Sequence, residues 1–261
     1  MSLACRWRRP PGCSPHLACF PGEGGAAVTG IARRIALVRE EIAAHCRSCG
    51  RSPSEITLIG VSKFHPASAV REAVSAGLSD IGESYVQEWR KKADELADAP
   101  VRWHFIGHLQ TNKVKYLVGR TALIHSVDSV RLIDEIARVA ESRQIRQPIL
   151  LELNLSGDAG KTGAREPDLP ALMEAAQSQK AAVDLRGLMC MGPLGGSPDE
   201  ARPVFRRLKE LSGRFNMSAG DGPPVLSMGM SDDYQVAIAE GATHIRIGTA
   251  IFGSRPDREP A

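Results

Sequence analysis

From Thr29 onward the chain carries an apolar stripe, with Ile31, Ile35, Val38, Ile42 and Ala43 recurring at helical spacing up to a Cys-rich end at Gly50. That spacing predicts one amphipathic helix. The pattern then changes to short, continuous apolar runs at residues 56–62, 78–82, 101–107, 122–127, 149–155, 183–191, 225–229 and 244–247. Helical stretches separate them, for example 66–76, 85–96, 129–143, 167–177 and 198–214. Short unbroken apolar runs are what parallel strands covered on both faces require. Eight such strands alternating with helices predict a closed (β/α)₈ barrel, an α/β fold, with an extra helix in front. An open doubly wound sheet would need a Gly-rich phosphate loop after its first strand. Here that strand runs into Ser62-Lys63-Phe64-His65-Pro66.

Residues 1–27 read differently, rich in Pro, Gly, Arg and Cys and without the apolar stretch of a signal peptide. They are expected to form a disordered extension, with the barrel over 28–255 and a short tail at 256–261. Gly22, Gly24 and Ala27 fit G-x-G-x-x-A, but no strand precedes them, so the match is chance.

Composition narrows the function. A net charge of +3, with Arg6, Arg8 and Arg9 as the only dense basic cluster, gives no nucleic-acid footprint. No apolar run approaches the ~20 residues of a membrane span. Three of the six cysteines fall in the first 20 residues, too few elsewhere to staple the fold. Cys46 and Cys49 form C-x-x-C, yet no second pair stands at zinc spacing and the motif ends a helix instead of following a strand. A reduced, cytoplasmic protein is expected.

In a barrel the chemistry lies at the carboxyl ends of the strands. Those positions hold Lys63, Glu83, Ser84, His104, His108, Ser126, Asp128, Asn154, Ser156, Ser231, Arg246, Gly248 and Thr249. Lys63 reads either as a rim ammonium paired with Glu83 or as an amine activated for imine formation. The loops after strands 7 and 8 form the common phosphate site of such barrels. Gly248 allows close backbone approach there, and Ser231 and Thr249 can add hydroxyl donors. The same glycine and hydroxyls could equally serve turns and helix caps. His104 and His108 are four apart, but no third ligand completes a metal set, and none is expected.

The motifs Val61-Ser62-Lys63, Gly82-Glu83-Ser84-Tyr85-Val86-Gln87-Glu88, Trp103-His104-Phe105-Ile106-Gly107-His108-Leu109-Gln110-Thr111-Asn112-Lys113, His125-Ser126-Val127-Asp128, Gly187-Leu188-Met189, Ser227-Met228-Gly229-Met230-Ser231 and Arg246-Ile247-Gly248-Thr249-Ala250-Ile251-Phe252-Gly253 follow one another at seven strand ends. In this the chain resembles the YggS/PROSC family of pyridoxal 5′-phosphate (PLP) homeostasis proteins, over roughly residues 30–254. The family's barrel is similar to the N-terminal domain of alanine racemases. The resemblance implies Lys63 as the Schiff-base lysine and Ser231, Gly248 and Thr249 as the phosphate cradle. It implies Arg246 beside the pyridine nitrogen, with Asn154 and Met230 lining the pocket. Ser84 departs from the Gly-Glu-Asn-Tyr form of the second motif and is left out of the expected site. The role of the segment His108 to Lys113 is left open.

The resemblance implies a monomer that stores or delivers PLP, touches PLP-dependent apoenzymes transiently and performs no catalysis itself. The alternative is a PLP-dependent amino-acid racemase, which needs a second base opposite the lysine. The three tyrosines, Tyr85, Tyr116 and Tyr234, are expected inside helices, away from strand ends. A lysine-dependent aldolase is disfavoured because its lysine would sit on a central or later strand.

Overall fold

A computed structural model describes residues 30–158, 160–215, 217 and 222–254. The expected extension at 1–27 and the tail at 256–261 lie outside the described residues. The strands are β1 (Thr57–Val61), β2 (Asp80–Glu83), β3 (Arg102–Phe105), β4 (Leu123–Val127), β5 (Gln147–Leu153), β6 (Val183–Cys190), β7 (Val225–Ser227) and β8 (His244–Ile247). They pair in sequence order, all parallel, and close when β8 meets β1. The helices are α1 (Gly30–Ser48), α2 (Ala67–Ser75), α3 (Val86–Glu95), α4 (Val114–Leu117), α5 (Val130–Ser142), α6 (Leu169–Ser178), α7 (Pro198–Arg214), α8 (Tyr234–Ala239) and α9 (Thr249–Phe252). This is the expected (β/α)₈ barrel with its additional first helix.

Alternation along each strand sends one set of side chains toward the helices and the other into the barrel. Ile81, Phe105, Ile124, Ile149, Leu151, Leu188, Ile245 and Ile247 join Trp89, Ile133, Phe205 and Ile238 of the helices in one apolar shell. Each such buried side chain contributes about 1.5–3 kcal/mol. A second, smaller cluster of Leu123, Leu150 and Met189 stands apart from that shell.

The first helix buries Ile31, Ile35, Val38, Ile42 and Cys46. The stripe continues to Cys46 and not to Ala43, because a step of one residue from Ile42 turns about 100° off the face. The C-x-x-C is thereby split, with Cys46 buried and Cys49 exposed. This helix packs against α2, α8 and α9. It is tied down where Arg34 Nε donates to the Ile251 carbonyl at 2.6 Å and Tyr234 Oη to Glu41 at 2.5 Å.

Tyr85 corrects one expectation. It is not inside a helix: its backbone is extended (φ −121°, ψ 123°), and it caps α3 from outside, two residues past the end of β2. Its exposed ring lies 5.4 Å from that of Phe64. The helical register began one residue later than the apolar pattern implied.

Candidate functional site

The loop after β1 holds Lys63, which is half-buried. Ser62 N–H still pairs with the Gly82 carbonyl, and His65 N–H closes a turn onto Ser62. Between them Phe64 adopts φ +69°, a left-handed conformation that a bulky residue holds only when its surroundings enforce it. Glu88 supplies the enforcement, accepting the Phe64 N–H at 2.8 Å. Beneath the loop, buried Lys92 donates to the Ser62 carbonyl at 2.7 Å, to Glu83 at 2.5 Å and to Glu88 at 3.2 Å. Burial pushes the Glu83 carboxyl above its usual range, against the opposing pull of Lys92. The lysine-bearing loop therefore rests on an ion pair sealed under it.

On the neighbouring strand β8, Arg246 is buried, in register with Ile59 of β1. One guanidinium nitrogen donates to Ser227 Oγ at 2.8 Å and another to the Cys190 carbonyl at 3.1 Å. Burial lowers its pKa, partly offset by the nearby Cys190, Asp233 and Glu152. A guanidinium remains a cation under such conditions. Burial raises both carboxylic acids: Glu152, bonded by the Thr162 hydroxyl at 2.8 Å, and Asp233, which accepts the Met230 N–H at 2.6 Å.

That last bond closes the loop after β7. Asp233 and Tyr234 N–H groups also return to the Met230 carbonyl, so Met230 and Ser231 sit in a tight turn, Met230 at the rim with 40% exposure. Gly229 starts the turn at φ +95°, where a Cβ would lie 2.6 Å from that of Ala237. Gly248 caps α9 and Thr249 is its first, exposed residue. The opening N–H groups of a helix have no intrahelical acceptor and are available to an anion. At Gly248 the backbone has negative φ and a Cβ would approach nothing closer than 3.5 Å, so the protein's own packing does not require glycine there. Asn154 braces its own loop, its amide donating to the carbonyls of Asp158 at 2.7 Å and Lys161 at 3.4 Å.

His104 and His108 part company. His104 is buried, with its two ring nitrogens 2.9 Å from His125 and from Asp80. His108 is exposed, 4.0 Å from Asp128. Among the described residues no cluster of three or more candidate ligands could hold a metal ion.

Several supports had no site role assigned from the sequence: Lys92, Glu88, His125, Glu152, Ser227 and Asp233, although Glu88, His125 and Ser227 lie within the motifs. Glu152 did leave a trace, a lone acid inside the apolar run Ile149-Leu150-Leu151-Glu152-Leu153. Lys92 left none, since charges on a helix ordinarily face water.

The family model for the alanine racemase N-terminal domain matches residues 39–256. A pyridoxal phosphate homeostasis protein of Pseudomonas aeruginosa is 44% identical over 234 residues, covering 88% of this chain and 98% of that protein. The chain belongs to the pyridoxal phosphate homeostasis protein family. A solved structure of a family relative, PipY of Synechococcus elongatus with PLP bound, superposes with a TM-score of 0.74 at 37% identity. It covers 85% of this chain and all of PipY. The alanine racemase of Bacillus anthracis superposes at 0.60 but with 15% identity, a likeness of fold alone. The family's barrel is thus present here with its strand ends in the order the motifs anticipated. Among the described residues no helix is long and apolar enough to cross a membrane.

Proposed function

We propose that this protein binds PLP at the carboxyl end of its barrel, holds it for delivery to apoenzymes, and catalyses no reaction of its own. The observation that carries the reading is a donor set gathered at one end of a closed parallel barrel. Lys63 lies on a braced loop after β1, the buried Arg246 cation on β8, and the Ser231, Gly248 and Thr249 turns follow β7 and β8. An amine, a cation and a set of hydroxyl and backbone donors match the aldehyde, ring nitrogen and phosphate of PLP. The space a side chain at Gly248 would fill is left clear. When bound, the cofactor supplies an electrophilic carbon and an electron-withdrawing ring.

In this reading Lys63 would hold the cofactor through its aldehyde carbon, the amine condensing there with release of one water. Arg246, a permanent donor, keeps a proton off the ring nitrogen and so weakens the ring as an electron sink. Ser231 and Thr249 hydroxyls and the first N–H groups of α9 hold the phosphate, while Asn154 and Met230 shape the wall. A racemase would be the second reading, and one observation favours it: Tyr85 stands outside its helix beside the Lys63 loop.

Borohydride reduction of the PLP-loaded protein followed by peptide mass spectrometry should place the pyridoxyl group on Lys63, and Lys63→Ala should lose the visible band. Retention of that band by the variant would overturn the assignment. Solvent-deuterium exchange at the α-carbon, with chiral analysis across a panel of amino acids, should show only background. Turnover at about 1 per second or above, abolished by Tyr85→Phe, would promote the racemase.

A further inference from the structure

A row of polar side chains crosses the inside of the barrel from the first residue of β2 to Arg246. Asp80 Oδ1 is 2.9 Å from His104 Nε2, and His104 Nδ1 is 2.9 Å from His125 Nε2. His125 Nδ1 is 2.9 Å from Ser227 Oγ, which accepts from Arg246 Nη1 at 2.8 Å. Five strands contribute one residue each, and His104, His125, Ser227 and Arg246 are buried.

The two ends dictate the direction of the row. A guanidinium can only donate, and an ionised carboxylate can only accept. With both imidazoles neutral, one pattern satisfies every pair: Arg246 donates to Ser227, Ser227 to His125 Nδ1, His125 Nε2–H to His104 Nδ1, and His104 Nε2–H to Asp80. Both rings are then Nε2-protonated. The surroundings agree with that pattern. Burial holds His125 well below its ordinary pKa. Burial opposes ionisation of Asp80, but the hydrogen bond from His104 and the nearby Arg102 bring its carboxyl below the usual value. Aligned bonds of this kind polarise one another and strengthen cooperatively.

Barrel interiors are ordinarily filled by layers of Val, Ile and Leu, and buried polar rows give little stability over apolar packing. The position of the row's end explains its presence. We infer that Asp80, His104, His125 and Ser227 are positioning residues, a one-way hydrogen-bond row that fixes the Arg246 guanidinium where it meets the ring nitrogen of PLP. This rests on the proposed cofactor reading for its consequence, though not for the row itself.

The row is tested on cofactor-free wild-type protein labelled with ¹⁵N-histidine. Long-range ¹H–¹⁵N spectra at neutral pH, assigned with His125→Gln, should show His104 and His125 both as neutral Nε2–H tautomers. An Nδ1–H tautomer or a doubly protonated ring at either position would overturn the direction. The consequence is tested by titrating PLP. Ser227→Ala should weaken binding about tenfold, the loss of one hydrogen bond to a charged group, and shift the absorption maximum of the bound cofactor. In an Arg246→Ala background the same substitution should cost nothing further. Unchanged affinity and spectrum in Ser227→Ala, or a full additional loss in the double variant, would refute the positioning role. Wild-type protein that takes up no PLP would overturn the cofactor reading and the positioning role together, while the tautomer result would still judge the row.

Discussion

At the scale of single residues, charges hidden under the mouth matter as much as those facing it. Lys92 and Glu83 form a buried pair, and removing one partner of such a pair costs about 3–5 kcal/mol because the other is left uncompensated. Lys92→Met should therefore lower stability by about that amount at pH 7.5. Glu83 titrates above its unfolded value, so its stabilising contribution is complete at low pH and lost as pH rises through the raised pKa. The Lys92→Met deficit should accordingly be smaller at pH 5.5 than at pH 7.5, because acidification favours the protonated Glu83. Urea unfolding at the two pH values checks it, and a deficit that grows on acidification would contradict the account. Ser231→Ala and Thr249→Ala test the proposed phosphate contacts, each expected to be worth about 1.5–3 kcal/mol, or roughly ten- to hundredfold in PLP affinity. Equilibrium titration of the single and double variants is the measurement, and unchanged affinity in all of them would move the phosphate elsewhere.

At the scale of elements, the best-read boundaries are those with strong local chemistry. α7 spans the residues its pattern implied, because Ser197 and Glu200 form a reciprocal capping box and Pro198 occupies the first turn. β7 is shorter than its apolar run, ending at Ser227, and Gly229 at φ +95° turns the chain toward Met230 while Met228 and Gly229 still bond to β8. β6 carries a feature no periodicity could reveal. Its pairing with β5 skips from Leu185 to Gly187, a bulge that leaves Arg186 unpaired. At Gly187, with φ +150°, a Cβ would sit 2.1 Å from the Val225 carbonyl oxygen. That contact accounts for the glycine in the Gly187-Leu188-Met189 motif. Gly187→Ala should cost about 1–3 kcal/mol or more, by forcing β6 and β7 apart. Denaturant titration should show the loss, and a midpoint equal to that of the wild type would mean the backbones separate freely.

At the scale of the whole molecule, the barrel interior sets the acid limit of stability. Burial pulls His244 down to about 3, with His104 adding to the effect, whereas an unfolded histidine titrates near 6.5. The folded value is depressed, so the contribution is present above about 6.5 and lost as pH falls toward about 3. His125 acts in the same direction. Glu152 and Asp233, with raised values, act oppositely, being stabilising below the ordinary carboxylate range and losing that as pH rises. They are common to wild type and variant, so a difference isolates the histidine. The urea midpoint should fall more steeply between pH 7 and pH 5 in the wild type than in His244→Gln, and equal slopes would show that His244 is solvated.

Periodicity and turn chemistry in the sequence determined the eight strands, the barrel, the leading helix and the lysine at the first strand end, because these follow from local spacing. The strand-end residues Arg246, Ser231, Gly248 and Thr249 were legible for the same reason: parallel strands in a barrel all end on one face. Only the tertiary structure decided which of them are supported and by what. Glu88 and Lys92 reach the Lys63 loop from α3, and Asp80, His104, His125 and Ser227 meet Arg246 from four other strands. Tyr85 left its expected helix through one residue of extended backbone. Contacts of this kind join positions about 20 to 100 residues apart. Their geometry is set by strand register and barrel closure, which no local pattern of apolar and polar residues encodes.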